Sequence, residues 1–167
     1  KNAFNVNAMN DILGGEFTSR INMNLREDKG WSYGAGSSIG QAIQQRSFRV
    51  NTSVQTDKTA AAMGEIVKEI KDYQSNRPPS AGELDLMVKG NTLPLPGRFA
   101  SNRSLIGYIM SNEHYGRPYN YAETLYDKYA SLTPELLQKT AQEYLRPDAM
   151  TWIVVGDLAK IEGNIRA

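Results

Sequence analysis

The chain has 167 residues, of which 40% are apolar and 22% charged, a composition typical of a globular protein with a real core. Its 19 basic and 18 acidic residues leave a formal net charge of +1 without runs of one sign, so charge gives no argument for binding nucleic acid or an anionic membrane. The absence of cysteine and the single histidine exclude disulfides, thiolate catalysis and a Cys- or His-rich metal site built by this chain alone. No apolar run approaches the ~20 residues that a membrane-spanning helix needs.

The first predicted elements are two helices. A short helix is expected to end at the glycine pair Gly14–Gly15. Apolar residues then recur every four positions, which predicts one buried stripe along a second helix from about Glu16 to Asp28, with Gly30 as its C-terminal stop. The stripe consists of Leu13, Phe17, Ile21 and Leu25.

Three strands are predicted. A glycine-rich strand over Trp31–Ile39 carries Tyr33 near its start. Residues Ser47–Gln55 alternate between apolar and polar side chains, as in a half-buried strand, so the two strands make a plausible hairpin or meander. A third, brief apolar strand is expected over Thr151–Val155, followed by a last helix.

The helices between the second and third strands have recognisable ends. Ser80 and Glu83 have capping-box spacing, in which each side chain satisfies a free backbone amide of the first helical turn. Pro94 and Pro96 should kink or end the helix that begins there, because proline lacks the amide donor. Pro134 is expected at the first position of a later helix.

The order of the elements predicts an α+β fold, with a mixed or antiparallel sheet covered on one face by helices. We expect residues 1–167 to form a single domain, because no linker or internal repeat divides the chain. The predicted sheet is small for the number of helices, so one or more strands are expected upstream, in a longer polypeptide.

Several motifs together resemble the pitrilysin family of zinc metallopeptidases, which includes insulin-degrading enzyme and mitochondrial processing peptidase. These motifs are LGGEFTSR beginning at Leu13, LRE at Leu25, GWSYG at Gly30, the late LTPE at Leu132 and IVVGD at Ile153. Each motif is weak alone, but their order and spacing extend through nearly the whole chain.

The resemblance implies a role for two residues. Pitrilysin-type peptidases close like a clamshell from two halves, of which one carries an inverted zinc motif, H-x-x-E-H, and the other contributes an arginine and a tyrosine. By motif, this chain is similar to the second, C-terminal half, with Arg26 and Tyr33 at the positions of that pair. No cofactor is then expected in this chain; zinc is expected in a partner half, and a peptide is the expected substrate.

The chemistry of the two side chains agrees with that role. Peptide hydrolysis builds negative charge on the carbonyl oxygen, and a phenol hydroxyl is a suitable hydrogen-bond donor to it. Guanidinium is a permanent cation with a fixed fork of donors, suited to a carbonyl or carboxylate. Taken alone, Arg26 is better explained as a surface residue that pairs with Glu27, Asp28 or the helix C-terminus, and Tyr33 as a packing residue. Their spacing together with the family resemblance favours the functional interpretation of the pair.

Two further features have simpler interpretations than a site. Gly14–Gly15 lacks the lysine and further glycines of a phosphate-binding loop and predicts close packing at a helix junction. His114 follows Glu113 in an echo of the zinc motif, but it lies late in the chain and is expected as an exposed residue at a helix end.

Three functions remain open from sequence. The chain is the substrate-supporting half of a pitrilysin-like zinc endopeptidase, inactive alone; or a non-catalytic assembly subunit, like the core proteins of the respiratory cytochrome complex; or a stand-alone peptide-binding module that adds an extended peptide to a sheet edge. The lack of cysteine does not fix the compartment, for which the bacterial periplasm or cell envelope is the working hypothesis.

Overall fold

A computed structural model describes residues 2–166, which form two compact units. One unit contains the described residues up to Pro79 and from Glu135 onward, and the other is Ser80–Pro134. The first unit holds a two-stranded antiparallel sheet and the helices that cover one face of it, so the α+β prediction is confirmed.

The first unit begins with two helices that each change pitch. Helix α1 spans Ala3–Asn10 and continues as a π-helical turn over Asp11–Gly15. Helix α2 spans Arg20–Asn22 and continues as a second π-helical turn over Met23–Asp28. Such wider turns are rare in proteins and are frequent at functional sites.

The predicted start of the second helix at Glu16 is wrong. Glu16 and Ser19 have extended backbones, and the helix begins only at Arg20. Three members of the expected stripe are buried, namely Leu13, Ile21 and Leu25. Phe17, by contrast, lies in the turn before the helix and is 62% exposed, which places its ring at the surface.

The hairpin forms where the sequence predicts it. Strand β1 spans Ser32–Ile39 and strand β2 spans Phe48–Val54. On β1, Ala35 and Ser37 are buried against the helices, whereas alternate residues of β2 are half-buried and the rest exposed.

The close packing predicted at Gly14–Gly15 is present, but Gly14 packs against strand β1 rather than against a second helix. A Cβ added to Gly14 would lie 2.3 Å from Ser37 Oγ and 2.8 Å from the Ser37 backbone nitrogen. Asn10 reinforces this contact, because its Oδ1 accepts a hydrogen bond of 2.7 Å from the Ser37 hydroxyl. Only glycine therefore allows α1 and β1 to approach this closely.

Three more helices complete the first unit. Helix α3 (Thr59–Gln74) buries Ile66, Ile70 and Tyr73. The other two helices are α7 (Pro134–Tyr144) and α8 (Leu158–Arg166), numbered after the helices of the second unit, which precede them in sequence. Helix α7 has proline at its first position, as predicted.

The predicted strand over Thr151–Val155 is wrong. These residues pair with no strand in the described part of the chain, and Ile153 and Val155 are almost fully exposed. An apolar β-branched run favours a strand, but ladder hydrogen bonds need a neighbouring strand to accept them.

The second unit is helical. Its helices are α4 (Ala81–Thr92), α5 (Asn102–Tyr115) and α6 (Leu125–Ala130), with a 3-10 turn over Pro96–Phe99 and another over Tyr119–Thr124.

The caps of the second unit follow the sequence. The capping box of Ser80 and Glu83 is complete, since the Ser80 amide donates to Glu83 Oε2 at 2.8 Å and the Glu83 amide donates to Ser80 Oγ at 3.2 Å. Helix α4 ends just before Pro94, as proline predicts.

Candidate functional site

A β-bulge presents Tyr33 to solvent at the start of β1. Ser32 pairs with Val54 and Ala35 pairs with Thr52, so Tyr33 and Gly34 together face a single residue of β2. A bulge of this kind redirects the side chains it contains. Tyr33 is accordingly fully exposed, although simple alternation would place it on the buried face with Ala35.

Two sets of hydrogen bonds hold the bulge. On the helix side, the Ala35 amide donates to Asn22 Oδ1 at 3.0 Å in a buried contact. On the strand side, the Ser32 hydroxyl donates to the Gly34 carbonyl at 2.7 Å, and the Thr52 hydroxyl lies 3.1 Å from the same oxygen. The Gly34 amide in turn donates to Ser32 Oγ at 3.0 Å. The backbone on both sides of Tyr33 is therefore fixed, which lowers the entropy lost when its side chain contacts a ligand.

Arg26 lies on the π-helical turn that precedes this strand. Its guanidinium carbon is 4.5 Å from the centroid of the Phe17 ring, and its Nε is 3.3 Å from Glu27 Oε1. The Arg26 side chain is 36% exposed, so part of the cation faces solvent while the aromatic ring supports the rest. The ion pair with Glu27 that the sequence allows is present, and it leaves the exposed part of the guanidinium fork available.

A tight turn joins the two residues. Gly30 has φ +64°, the left-handed conformation that ends a helix, and the Trp31 amide donates to the Leu25 carbonyl at 2.9 Å. The end of β2 closes the turn, because the Gln55 amide donates to the Trp31 carbonyl at 3.0 Å. Arg26 and Tyr33 are thus carried by one helix–turn–strand segment.

A polar cluster anchors the π-helical turn of Arg26 to helix α3. The buried Asn24 donates through Nδ2 to Glu65 Oε2 at 2.9 Å and to Glu69 Oε1 at 2.7 Å. Lys29 Nζ lies 3.4 Å from Glu65 Oε1. The hydrogen bond from Asn24 and the charge of Lys29 outweigh partial burial and lower the pKa of Glu65, which keeps this carboxylate ionised.

Buried charges beneath this cluster are paired. Arg77 donates to the nearly inaccessible Glu69 carboxylate. Arg20 donates to the Arg77 carbonyl and, at 2.9 Å, to the Pro78 carbonyl, and its guanidinium carbon lies 4.9 Å from the centroid of the Tyr73 ring. A protein interior tolerates charges that are paired and hydrogen-bonded. These contacts of Arg20 therefore hold the start of α2 against the segment that follows α3.

The described residues do not fit a metal. Within residues 2–166, no group of three or more His, Cys, Asp and Glu side chains is arranged to hold an ion. His114 lies exposed in the last turn of α5, as predicted, with its ring 4.7 Å from that of Tyr115. Across the same described range, no helix combines the length and apolar character required to cross a bilayer.

A family model described as the peptidase M16 inactive domain matches residues 1–91, more than half of the chain. The chain therefore belongs to the peptidase M16 inactive domain family, in agreement with its resemblance to the pitrilysin-type peptidases. No curated protein matches the sequence.

Solved structures share the fold. A peptidase M16 inactive domain from Pseudomonas fluorescens has a TM-score of 0.77 and 23% identity, over 88% of this chain and 35% of that one. A protease from Helicobacter pylori has a TM-score of 0.71 and 18% identity, over 86% and 34%. The first half of the periplasmic protease PqqL from Escherichia coli has a TM-score of 0.59 and 18% identity, over 74% and 29%. The chain thus spans about a third of the length of these structures.

Sequence reasoning missed Phe17 and Asn22. Phe17 was placed in a helical stripe by its spacing, although it supports Arg26 from a surface turn. The sequence carried one indication that Asn22 has a specific role. Asparagine competes with the backbone for hydrogen bonds and is poorly suited to the interior of a helix.

Proposed function

We propose that this chain is the metal-free, substrate-supporting domain of a pitrilysin-type zinc metalloendopeptidase that cleaves peptide bonds together with a separate zinc-bearing half. The observation that carries the proposal is the bulge that turns Tyr33 outward, on the same helix–turn–strand segment that holds Arg26 partly exposed. If Tyr33 served only in packing, its side chain would lie on the buried face, and a bulge that exposes it would have no structural role.

Each residue has a distinct role in this proposal. Tyr33 donates a hydrogen bond from its hydroxyl to the carbonyl oxygen of the scissile peptide bond and to the oxyanion that forms from it. Arg26 binds a backbone carbonyl or a carboxylate of the peptide and orients it, because its charge is permanent and its donors are fixed in one plane. Loss of one oxyanion donor costs ~3 kcal/mol at the transition state, about a hundredfold in rate.

The metal belongs to the other half in this account. The side chains of residues 2–166 offer no suitable ligand set, so no step of the reaction is assigned to a metal held here. Zinc in a pitrilysin-type partner would supply Lewis acidity and an activated water. The partner half is either a further part of the same polypeptide or a separate subunit.

The alternative is a non-catalytic assembly subunit of the same family. The family match alone is compatible with it, because the family itself is described as an inactive domain. Arg26 and Tyr33 favour the catalytic proposal, since an assembly role needs neither the exposed phenol nor the supported guanidinium. The two functions are distinguished by an intact H-x-x-E-H motif in the native polypeptide or in the product of a neighbouring gene. Its presence favours the peptidase, and its absence favours the assembly subunit.

Complementation tests the proposal directly. Cleavage of a fluorogenic peptide is measured for the zinc-bearing half alone and again after addition of the half that contains this chain. We expect turnover only from the combination, and loss of turnover when a chelator removes the metal. Full activity of the zinc-bearing half alone would contradict the proposal.

We infer that the whole protein works in the bacterial periplasm or cell envelope. The support is the shared fold with half of a periplasmic protease. Fractionation of the native host tests the inference, because recovery of the protein with cytoplasmic markers alone would contradict it.

A further inference from the structure

We propose that Asn22 is a positioning residue that holds Arg26 and Tyr33 in one frame; this inference rests on the proposed roles of those two residues. Asn22 is only 4% exposed, so its side chain is inaccessible from solvent. Its side-chain amide instead bonds, with its two ends, to the two backbone segments that support the pair.

The oxygen of Asn22 supports Tyr33. Ala35 follows the bulge immediately, and its amide donates to Asn22 Oδ1 at 3.0 Å. A buried backbone amide without an acceptor is costly, so the bulge depends on a side-chain acceptor at this place. Asn22 therefore stabilises the irregular backbone that exposes Tyr33.

The nitrogen of Asn22 supports Arg26. Nδ2 donates to the carbonyl of Phe17 at 2.6 Å, and the ring of Phe17 lies against the Arg26 guanidinium. The turn at Phe17 is short and its ring is largely exposed, so this hydrogen bond fixes a residue that packing alone does not hold.

The orientation of the Asn22 amide follows from its partners. A backbone N–H requires an acceptor and a backbone carbonyl requires a donor, so the oxygen must face Ala35 and the nitrogen must face Phe17. The asparagine side chain makes both hydrogen bonds at once. Aspartate lacks the N–H donor, and leucine lacks both the donor and the acceptor.

Two substitutions distinguish the hydrogen bond to Ala35 from the hydrogen bond to Phe17. Asn22→Asp keeps an oxygen for the Ala35 amide but turns a carboxylate toward the Phe17 carbonyl, which repels it. Asn22→Leu keeps the number and branching of the heavy side-chain atoms, with bulkier methyl groups, and removes both hydrogen bonds. The matched control is Asn112→Asp, at another buried asparagine, whose Nδ2 donates to the Pro118 carbonyl at 3.4 Å.

The kinetic experiment uses the full-length protein assembled with its zinc-bearing half. We expect Asn22→Leu to lower kcat by roughly ten- to a hundredfold, because misplacement of a catalytic group by ~1 Å costs on the order of a hundredfold. Asn22→Asp should raise KM several-fold and keep kcat within about threefold of the parent, because it disturbs the Arg26 support alone. Asn112→Asp should leave both constants unchanged.

Hydrogen exchange of the Ala35 amide provides a readout independent of turnover. Exchange should be slow in the parent and in Asn22→Asp, and at least tenfold faster in Asn22→Leu, since only the leucine variant lacks the acceptor. Adding Asn22→Leu to Tyr33→Phe should lower kcat no further than Tyr33→Phe alone, because both changes remove the same interaction.

The outcomes distinguish this inference from the proposed function. Unchanged kcat and Ala35 exchange in a folded Asn22→Leu protein, alongside a clear loss in Tyr33→Phe, would overturn the role of Asn22 and leave that of Tyr33 standing. Unchanged kcat in Tyr33→Phe would overturn both. If Asn22→Leu does not fold, Asn22→Asp decides, because a parental KM in that variant contradicts the inference.

Discussion

The guanidinium of Arg26 stacks on the ring of Phe17, with 4.5 Å between the guanidinium carbon and the ring centroid. This contact explains why a large aromatic residue is left 62% exposed in the turn before α2. The ring limits the positions that the long arginine side chain can adopt, so less entropy is lost when the guanidinium binds a peptide.

The first prediction concerns this stack. Phe17→Leu removes the aromatic face but keeps an apolar side chain, and an exposed cation–π contact is worth about 0.5–1 kcal/mol. We expect kcat/KM of the assembled enzyme to fall roughly two- to fivefold with little change in the free energy of unfolding. Leu158→Ala, at another apolar residue of similar exposure, is the control and should not change kcat/KM. An unaltered kcat/KM in Phe17→Leu would show that the Phe17 ring does not support the function of Arg26.

The second prediction concerns the close approach of α1 to β1. Gly14→Ala would place a methyl group 2.3 Å from Ser37 Oγ and 2.8 Å from the Ser37 backbone nitrogen, which forces backbone to move. We expect the free energy of unfolding to fall by about 1–3 kcal/mol, as overpacking usually costs. Urea denaturation measures the change.

Gly64→Ala is the matched control for this prediction. Gly64 lies within helix α3, and nothing lies within 4 Å of an added Cβ. Alanine there should stabilise the protein by about 0.5–1 kcal/mol, because glycine loses more backbone freedom on folding. Equal effects of the two substitutions would contradict the packing argument.

The third prediction concerns pH. The pKa of Glu65 is lowered below its ordinary value of 4.5 in the folded protein, chiefly by the hydrogen bond from Asn24. Its contribution to stability is therefore fully present above that ordinary value and is lost as the pH falls through the lowered one. The parent should exceed Glu65→Gln in free energy of unfolding at pH 7, and the difference should shrink by pH 3. A difference that grows on acidification would reverse the assigned sign.

The sequence predicts those parts of the fold that local interactions decide. The capping box at Ser80 and Glu83 and the helix stop at Gly30 involve residues close in sequence, so their spacing is sufficient to recognise them. The sequence alternation in β2 likewise agrees with the structure, in which half-buried and exposed residues alternate along this strand.

The parts that the sequence does not predict depend on distant partners. The run Thr151–Val155 has strand-like composition, but no strand of the described chain pairs with it. The bulge at Tyr33 depends on the hydrogen bond from the Ala35 amide to Asn22, a side-chain acceptor thirteen positions before Ala35 on a different element. Regular spacing at Phe17 suggested a helix, whereas the chain turns there and supports Arg26 instead.

The central claim is that the phenol of Tyr33 donates a hydrogen bond in peptide hydrolysis performed with a zinc-bearing half. Tyr33→Phe removes only the hydroxyl of a fully exposed side chain, so folding should not be affected. The decisive measurement is kcat of the assembled enzyme on a fluorogenic peptide, with and without this substitution. We expect Tyr33→Phe to lower kcat roughly a hundredfold at nearly constant KM. A kcat equal to that of the parent would rule out this role for the phenol.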